Sequence, residues 1–327
     1  MEINFQKLKE IILEKDSFLI TSHVNPDADA IGSEIAFYHL LKKLGKTARI
    51  VNHSETPYNI EFLDPQKVIE LYNDEKHRHL FLDSDVLVAL DFNDSKRILS
   101  MKDGFNKSGK LKICIDHHQD PKEFVDFIFY DTGYSSTGEI LYDFIAKSKI
   151  ADFDFDIALP LYTAILTDTG SFQYERTTPK THKIAAHLLE LGVNPTEVYD
   201  LHYNQGTMSR INLLGKALES MQMNEKKNLA YMVITSDEIK TTGAVMADID
   251  GFVNYCLKIS GIILGILFVQ SEDGVKMSFR SKGDITANKL ASEFGGGGHI
   301  NAAGARVFNA PFSETIQTVL KSAEKYV

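Results

Sequence analysis

Length, composition and charge set the first limits on this chain. It has 327 residues, of which 43% are hydrophobic, and a formal net charge of −10. A chain of this length most often forms two domains. The negative charge argues against a protein that coats long double-stranded nucleic acid, because such binding needs clustered lysine and arginine. Short nucleotides held by a few local cations are not excluded.

No segment predicts a membrane helix or a secretion signal. The longest apolar stretch, residues 259–270, contains Ser260, Gly261 and Gly265 and is shorter than the roughly 20 apolar residues of a membrane span. The N-terminus lacks a cationic start followed by an apolar core. Cys114 and Cys256 both lie in apolar patterns, which favours reduced core thiols over a disulfide. We therefore expect a cytoplasmic protein that does not bind membranes.

Apolar strand patterns alternate with helical patterns in the first half of the chain. Continuous apolar strands with intervening helices are typical of a parallel sheet covered on both faces. Ligands of such sheets bind at the carboxyl ends of the strands. The predicted strands are residues 18–21, 49–52, 86–90, 111–115 and 127–129, and the clearest helices are 33–44 and 136–147.

The second half predicts a helical connector followed by a smaller α/β domain. Residues 178–220 have mainly helical patterns, and strand patterns return after residue 227. The predicted strands there are residues 230–235, 262–270 and 275–281, and the predicted helices are 248–258, 286–294 and 313–326. We thus predict a domain at residues 1–190, a connector at 191–225 and a second domain at 226–327.

Acidic and imidazole side chains follow several apolar runs of the first half. Carboxylates and imidazoles are ligands of divalent ions such as Mn²⁺, and two neighbouring ions need a carboxylate between them. The pattern therefore predicts a two-metal site at the ends of the strands. Its candidate residues are His23, Asp27, Asp29, Asp91, Asp116, His117, His118 and Asp168.

Each of these residues also has a structural interpretation. A single aspartate after a strand is most often a turn or helix-capping residue, and Asp27 and Asp29 could cap a helix that begins near Ile31. A single histidine could be an ordinary hydrogen-bonded one. Capping alone, however, gives no reason for carboxylates and histidines to recur at successive strand ends. The recurrence favours metal binding.

A second motif lies near the C-terminus, where four glycines at residues 295–298 precede His299. Glycines let backbone N–H groups approach an anion closely, and we expect a helix that starts near His299 to point its positive end at a phosphate. The alternative is a flexible loop. His299 and the following small residues at 302–304 favour the binding role.

The first-half motifs resemble those of the DHH phosphoesterase superfamily. The matching segments are His-x-x-x-Asp-x-Asp at 23–29, Asp91, Asp-His-His at 116–118 and Thr-Asp-Thr-Gly-Ser-Phe at 167–172. The resemblance implies two Mn²⁺ ions, with Mg²⁺ or Co²⁺ as alternatives. It implies that one ion is held by His23, Asp27 and Asp91, and the other by Asp29, Asp91, His117 and Asp168.

The resemblance also implies catalytic roles. Asp116 would orient a neighbouring ligand, His118 would act as a hydrogen-bond donor or general acid towards the phosphate, and an ion-activated water would attack phosphorus.

The C-terminal glycine motif resembles that of the type 1 DHH-associated domain. That resemblance implies that substrate is bound by Arg280, Ser281, Gly296, Gly297, Gly298 and His299. Family II pyrophosphatases carry a different C-terminal domain, long-strand exonucleases are larger, and membrane-bound cyclic-dinucleotide phosphodiesterases add membrane segments.

The two-domain chain is most similar to the nano-RNase and pAp phosphatase group, where pAp is 3′-phosphoadenosine 5′-phosphate. This implies hydrolysis of short RNA and of pAp in an inter-domain cleft, by a monomer or a homodimer. The alternatives are a linear or cyclic dinucleotide phosphodiesterase, and a nucleotide-binding regulator without activity.

Overall fold

The computed structural model describes residues 3–327 and divides the chain into two compact units, Met1–Gln205 and Gly206–Val327. The first unit is built on a six-stranded sheet whose strands are all parallel, in the order β3-β2-β1-β4-β5-β6. Its strands are β1 Ser17–Thr21, β2 Thr47–Asn52, β3 Ile69–Leu71, β4 Val86–Leu90, β5 Leu111–Asp116 and β6 Phe127–Tyr130. The predicted α/β class is confirmed.

Helices cover both faces of this sheet. They are α1 Phe5–Glu14, α2 Ala28–Lys43, α3 Asp74–His77, α4 Leu80–Asp83, α5 Lys102–Lys107, α6 Thr137–Ser148, α7 Phe155–Asp168, α8 Pro179–Glu190 and α9 Pro195–Tyr203, with 3₁₀ helices at Tyr58–Leu63 and Ser95–Met101. In β4, Val86, Val88 and Leu90 join the larger core, whereas Leu87 and Ala89 join the core on the opposite face. This two-sided burial explains the continuous apolar pattern of the strand.

Two glycines let α2, α6 and α7 converge beside the sheet. A Cβ atom on Gly32 of α2 would lie 2.5 Å from the backbone oxygen of Pro160 in α7. A Cβ atom on Gly138 of α6 would lie 2.6 Å from Cβ of Ala164, also in α7. Larger side chains would hold these helices apart.

The second unit contains a mixed six-stranded sheet in the order β11-β12-β10-β9-β8-β7, in which only the pairing of β8 with β9 is parallel. The strands are β7 Gln222–Met223, β8 Leu229–Ile234, β9 Leu264–Ser271, β10 Gly274–Ser281, β11 Gly297–His299 and β12 Ala302–Phe308. The helices are α10 Met208–Glu219, α11 Ser236–Thr242, α12 Ala287–Ser292 and α13 Phe312–Ala323, with 3₁₀ helices at Met246–Ile249 and Phe252–Lys258.

The predicted helix start near His299 is wrong. His299 is the last residue of β11, which forms an antiparallel hairpin with β12. The glycines permit this close pairing, because a Cβ atom on Gly296 would lie 2.1 Å from the Gly304 oxygen. Gly298 has a φ of 141°, and a Cβ atom there would lie 2.5 Å from the Ala302 oxygen.

Two other helix boundaries differ from prediction. α2 begins at Ala28 rather than residue 33, because the Asp27 carboxylate accepts hydrogen bonds from the amides of Asp29 and Ala30 and caps the helix there. The predicted helix at 248–258 is instead two 3₁₀ segments, interrupted where Gly251 adopts a φ of 79°.

Within residues 3–327, no helix is both long and apolar enough to cross a membrane.

Candidate metal centre

The candidate site of the first unit lies where the strand order reverses, between β1 and β4. At such a point the loops after the two neighbouring strands run to opposite sides of the sheet, and a crevice is left between them. His23 follows β1, Asp91 follows β4, and Asp116 ends β5. The structure brings these residues together with the other predicted acids and histidines of this unit, which are Asp27 and Asp29 near the start of α2, His117 and His118 after β5, and Asp168 at the end of α7.

One group of side chains contains His23, Asp27 and Asp91. Nε2 of His23 lies 3.9 Å from Oδ2 of Asp27 and 3.5 Å from Oδ2 of Asp91. Nδ1 of His23 lies 3.0 Å from the Val24 carbonyl oxygen, so that nitrogen carries the proton and donates it. The Nε2 lone pair is therefore available to an ion. Histidine ligands of metals usually donate their other ring N–H to a carbonyl or carboxylate oxygen, as Nδ1 of His23 does here.

A second group surrounds the His117 ring. Its Nε2 lies 3.3 Å from Oδ2 of Asp168, 3.6 Å from Oδ2 of Asp29 and 3.5 Å from Oδ1 of Asp91. Asp91 thus presents one carboxylate oxygen to each group. It adopts a φ of 64°, a left-handed conformation that aspartate tolerates better than most residues.

The electrostatics of both groups fit a divalent cation. Asp29 and Asp91 are each only 1% exposed. Burial, together with the charges of Asp91 and Asp168, raises the pKa of Asp29 well above its usual range. Burial, together with Asp27 and Asp91, does the same to the pKa of Asp168. Crowded carboxylates of this kind are stabilised by a cation between them, and the mixture of oxygen and imidazole donors suits Mn²⁺ or a similar ion.

His118 pairs with Asp116. Nδ1 of His118 lies 2.7 Å from Oδ1 of Asp116, and the same oxygen accepts the His118 backbone N–H at 3.2 Å. Burial alone would lower the pKa of His118, but the hydrogen bond with Asp116 and the charges of Asp91 and Asp116 raise it to about 9. The pairing favours a protonated His118 that can donate.

Thr137 also contacts the site, although the sequence did not single it out. Ser136 is the cap of α6, and the Thr137 hydroxyl donates to Oδ1 of Asp91 at 2.8 Å. The backbone amides of Thr137 and Gly138 donate to the two carboxylate oxygens of Asp29 at 2.7 and 2.9 Å. The N-terminus of α6 therefore supports two candidate ligands, as helix N-termini do for anions.

Two arginines near the site were also missed. The backbone oxygen of Arg97 accepts the Val24 amide at 2.7 Å, and the positive charge of Arg97 acts on both His23 and His118. Nη1 of Arg176 lies 3.3 Å from Nδ1 of His117. Because a guanidinium only donates, this contact leaves the His117 proton on Nε2, and coordination through Nε2 would require Arg176 to release the ring. The signal in the sequence was that Arg97 follows Asp91 by six residues and Arg176 follows Asp168 by eight.

A buried Glu34–Asn52 pair lies beneath the end of β1. Nδ2 of Asn52 donates to Oε2 of Glu34 at 2.8 Å, and Oδ1 of Asn52 accepts the Ser22 amide at 3.1 Å. Burial raises the pKa of Glu34 to about 8. The pair fixes the backbone of the residue that precedes His23.

In the second unit, strand register relates two of the predicted substrate-binding residues. Arg280 of β10 and His299 of β11 both pair with Ala302 of β12, so they share one face of the sheet about 10 Å apart. Ser281 lies on the opposite face and is buried, with its hydroxyl donating to the Ile285 oxygen.

Comparison with known families assigns both units. Residues 17–165 match the DHH family, N-terminal domain, and residues 226–327 match the DHHA1 domain. The first match runs from β1 into α7 and contains the acidic cluster except Asp168, and the second match contains the glycine motif of the second unit.

Curated relatives match over most of the chain. A Thermus thermophilus protein named bifunctional oligoribonuclease and PAP phosphatase NrnA is 32% identical over 308 residues, which cover 94% of this chain and 89% of the relative. A Bacillus subtilis protein of the same name is 26% identical, with 90% of each chain covered.

Solved structures show the same fold. An exopolyphosphatase-related protein from Bacteroides fragilis superposes with a TM-score of 0.94 at 32% identity, covering 98% of this chain and 96% of that one. RecJ of Thermus thermophilus, solved with Mn²⁺, shares the fold with a TM-score of 0.58 at 12% identity, and 56% of its chain is covered. The resemblance found in the motifs is confirmed. The chain belongs to the DHH family of phosphoesterases and carries a DHHA1 domain in its C-terminal region.

Proposed function

We propose that this protein hydrolyses short oligoribonucleotides and pAp with the help of two Mn²⁺ ions. The observation that carries the proposal is the position of Asp91, whose two carboxylate oxygens lie 3.5 Å from the imidazoles of His23 and His117. A single carboxylate between two groups of ligands is what a two-metal site requires. The names of the relatives from Thermus thermophilus and Bacillus subtilis support the choice of substrates.

Under this proposal each ion would have its own set of ligands, and Asp91 would belong to both sets. His23, Asp27 and Asp91 would hold one ion, and Asp29, Asp91, His117 and Asp168 the other. When bound, the ions would stabilise negative charge on the phosphate and lower the pKa of a water molecule. Thr137 and the α6 amides keep Asp91 and Asp29 in place, and so pre-organise the ligands.

His118 would deliver a proton to the leaving oxygen. Its pairing with Asp116 holds the ring in one orientation, and this hydrogen bond favours the protonated form of the ring. The positive charge of Arg97 in the same region favours an anionic substrate over a neutral one.

The second unit would bind the remainder of the substrate. Arg280 and His299 share a face of the sheet and offer a planar cation and an imidazole to phosphate or base edges. Gly296 and Gly298 allow the close pairing with β12, and an added Cβ atom on Gly297 between them would meet nothing within 4 Å, so a ligand would have access to the backbone of this run. Ser281 would act by shaping the turn after β10, where its hydroxyl also accepts a hydrogen bond from Asn301.

A substrate panel tests this proposal. The panel contains 5′-labelled RNAs of two to five nucleotides, a 24-nucleotide RNA, pAp, and linear and cyclic dinucleotides, each with Mn²⁺, with Mg²⁺ and with a chelator. We expect mononucleotides from the short RNAs and phosphate from pAp, little action on the long RNA, and no reaction with the chelator. A preference for cyclic dinucleotides, or tight binding without turnover, would contradict the proposal.

A further inference from the structure

Three exposed tyrosines lie beside the acidic cluster and have no part in the function proposed above. They are Tyr174, Tyr199 and Tyr203, which are 49%, 44% and 38% exposed. All three belong to the first unit, two of them on α9 and one in the loop after α7. Clustered exposed aromatic rings usually mark a binding surface.

Backbone geometry holds Tyr174 against the loop that follows Asp168. Gly170, Ser171 and Phe172 have φ values of 56°, 59° and 64°. Consecutive left-handed residues, one of them a phenylalanine, are costly and are found mainly where function requires them. The turn brings the Tyr174 ring over Gly170, where an added Cβ atom would lie 2.4 Å from Cζ of the ring.

Tyr199 and Tyr203 form the other part of this surface. They are one helical turn apart on α9, and their ring centroids are 4.7 Å from each other. Val198, which is buried in the core, anchors the helix. The Tyr203 side chain is hydrogen-bonded to the Ser171 side chain, three residues beyond Asp168 in the loop that carries Tyr174. This contact places Tyr203 beside that loop.

We propose that Tyr174, Tyr199 and Tyr203 form a tyrosine platform on which a nucleobase of the substrate stacks while the adjoining phosphate lies at the acidic cluster. This inference rests on the proposed function. A nucleobase is the occupant that fits, because the platform adjoins Asp168 and because rings stack on bases of any sequence.

The kinetic test compares diadenylate with versions that lack one base, at either position. Tyr199→Leu is expected to lower kcat/KM for diadenylate by about tenfold, mostly through KM. For one of the abasic substrates the loss should be less than twofold, because the stacking partner is already gone. Tyr199→Phe should retain wild-type values, since it keeps the ring.

Phe155→Leu is the matched control. Phe155 is also exposed, at 47%, but it lies at the start of the 14-residue helix α7, whereas Asp168 lies at its end. The two residues are therefore about 20 Å apart. The Phe155→Leu variant should leave kcat/KM unchanged for every substrate. An equal loss in Tyr199→Leu for diadenylate and both abasic substrates, or no loss for any of them, would overturn the platform.

Binding of a dinucleotide that contains 2-aminopurine separates this proposal from the proposed function. Stacking quenches 2-aminopurine fluorescence, so wild-type protein should quench it and Tyr199→Leu should not. If the wild type cleaved none of the dinucleotides, the proposed function would fail, yet Tyr199-dependent quenching would still support the platform. Quenching that is absent, or equal in both proteins, would overturn it.

Discussion

Asp91 owes its position to three local features. It directly follows the fully buried strand β4, its amide donates to the Ile115 oxygen at 3.1 Å, and its left-handed φ turns the chain away from the sheet. The Thr137 hydroxyl then fixes one of its carboxylate oxygens. The side chain is therefore held before any ligand binds.

Replacing Thr137 by valine tests this support. Thr137→Val keeps the shape of the side chain but removes the donor, and we expect Mn²⁺ affinity and activity to fall by about 10-fold to 100-fold, as for other residues that orient ligands. Isothermal titration with Mn²⁺ measures the affinity, and dinucleotide cleavage measures the activity.

Two further variants complete this prediction. Thr137→Ser keeps the hydroxyl and should restore both values. Thr163→Val removes a buried threonine hydroxyl that donates within α7 to Leu159, and it should change neither. Unchanged Mn²⁺ affinity in Thr137→Val would show that Asp91 does not depend on this hydrogen bond.

Local sequence predicted which acids and histidines come together, but it did not predict the residues that hold them in place. His23, Asp91 and His117 follow apolar strands, and parallel strands deliver such residues to one edge. Thr137 and Arg97 could not be assigned in this way, because their contacts depend on how helices pack rather than on neighbouring residues. A polar residue at a helix start predicts a cap, and Ser136 is one.

At the scale of secondary-structure elements, the approach of α2 to α7 decides whether Asp29 and Asp168 meet. Gly32→Ala would insert a methyl group 2.5 Å from the Pro160 oxygen. We expect this variant to lose about 1–3 kcal/mol of unfolding free energy, as overpacked cores do. Activity should fall as well, because α2 carries Asp29.

Gly215→Ala is the control for Gly32→Ala. Gly215 is an exposed residue within α10, and an added Cβ atom would meet nothing within 4 Å. The exchange should leave activity unchanged and stabilise the protein by up to about 1 kcal/mol. Urea unfolding measures both free energies, and equal stability changes in the two variants would contradict the packing argument.

The edge strand β3 has only partial apolar packing, through Ile69, and charged contacts of Glu70 support it as well. Burial of Glu70 opposes its ionisation, but hydrogen bonds from Lys76, Arg49 and His77 outweigh it and lower the pKa of Glu70 to about 2. A carboxyl group with a lowered pKa stabilises the fold above its unfolded pKa of 4.5, and this contribution is lost as pH falls towards 2.

Glu70→Gln should therefore destabilise the protein by about 1 kcal/mol at pH 7, after allowance for solvent screening. The difference from wild type should shrink as pH falls from about 4.5 towards 2. Urea unfolding at several pH values measures it, with Glu75→Gln in α3 as an exposed control. A difference that stays constant over this range would contradict the assignment.

At the scale of the whole molecule, the alternation of strands and helices was enough to predict the α/β class. Strands β3, β7, β11 and β12 were missed. β3 is only half-buried or exposed, β7 has two exposed residues, β11 consists of two glycines and a histidine, and β12 begins with small residues. The glycine run illustrates the limit. Its composition predicted an anion-binding helix start, whereas the close pairing of β11 with β12 is what requires glycine.

The central claim is that Asp91 joins two metal sites that hydrolyse a phosphoester bond. The most direct measurement is the rate at which wild-type protein and Asp91→Ala cleave a labelled RNA dinucleotide, with and without Mn²⁺. We predict cleavage by the wild type that stops with a chelator and returns with Mn²⁺, and only background cleavage by the variant. An Asp91→Ala protein that cleaved the dinucleotide at the wild-type rate would contradict the account.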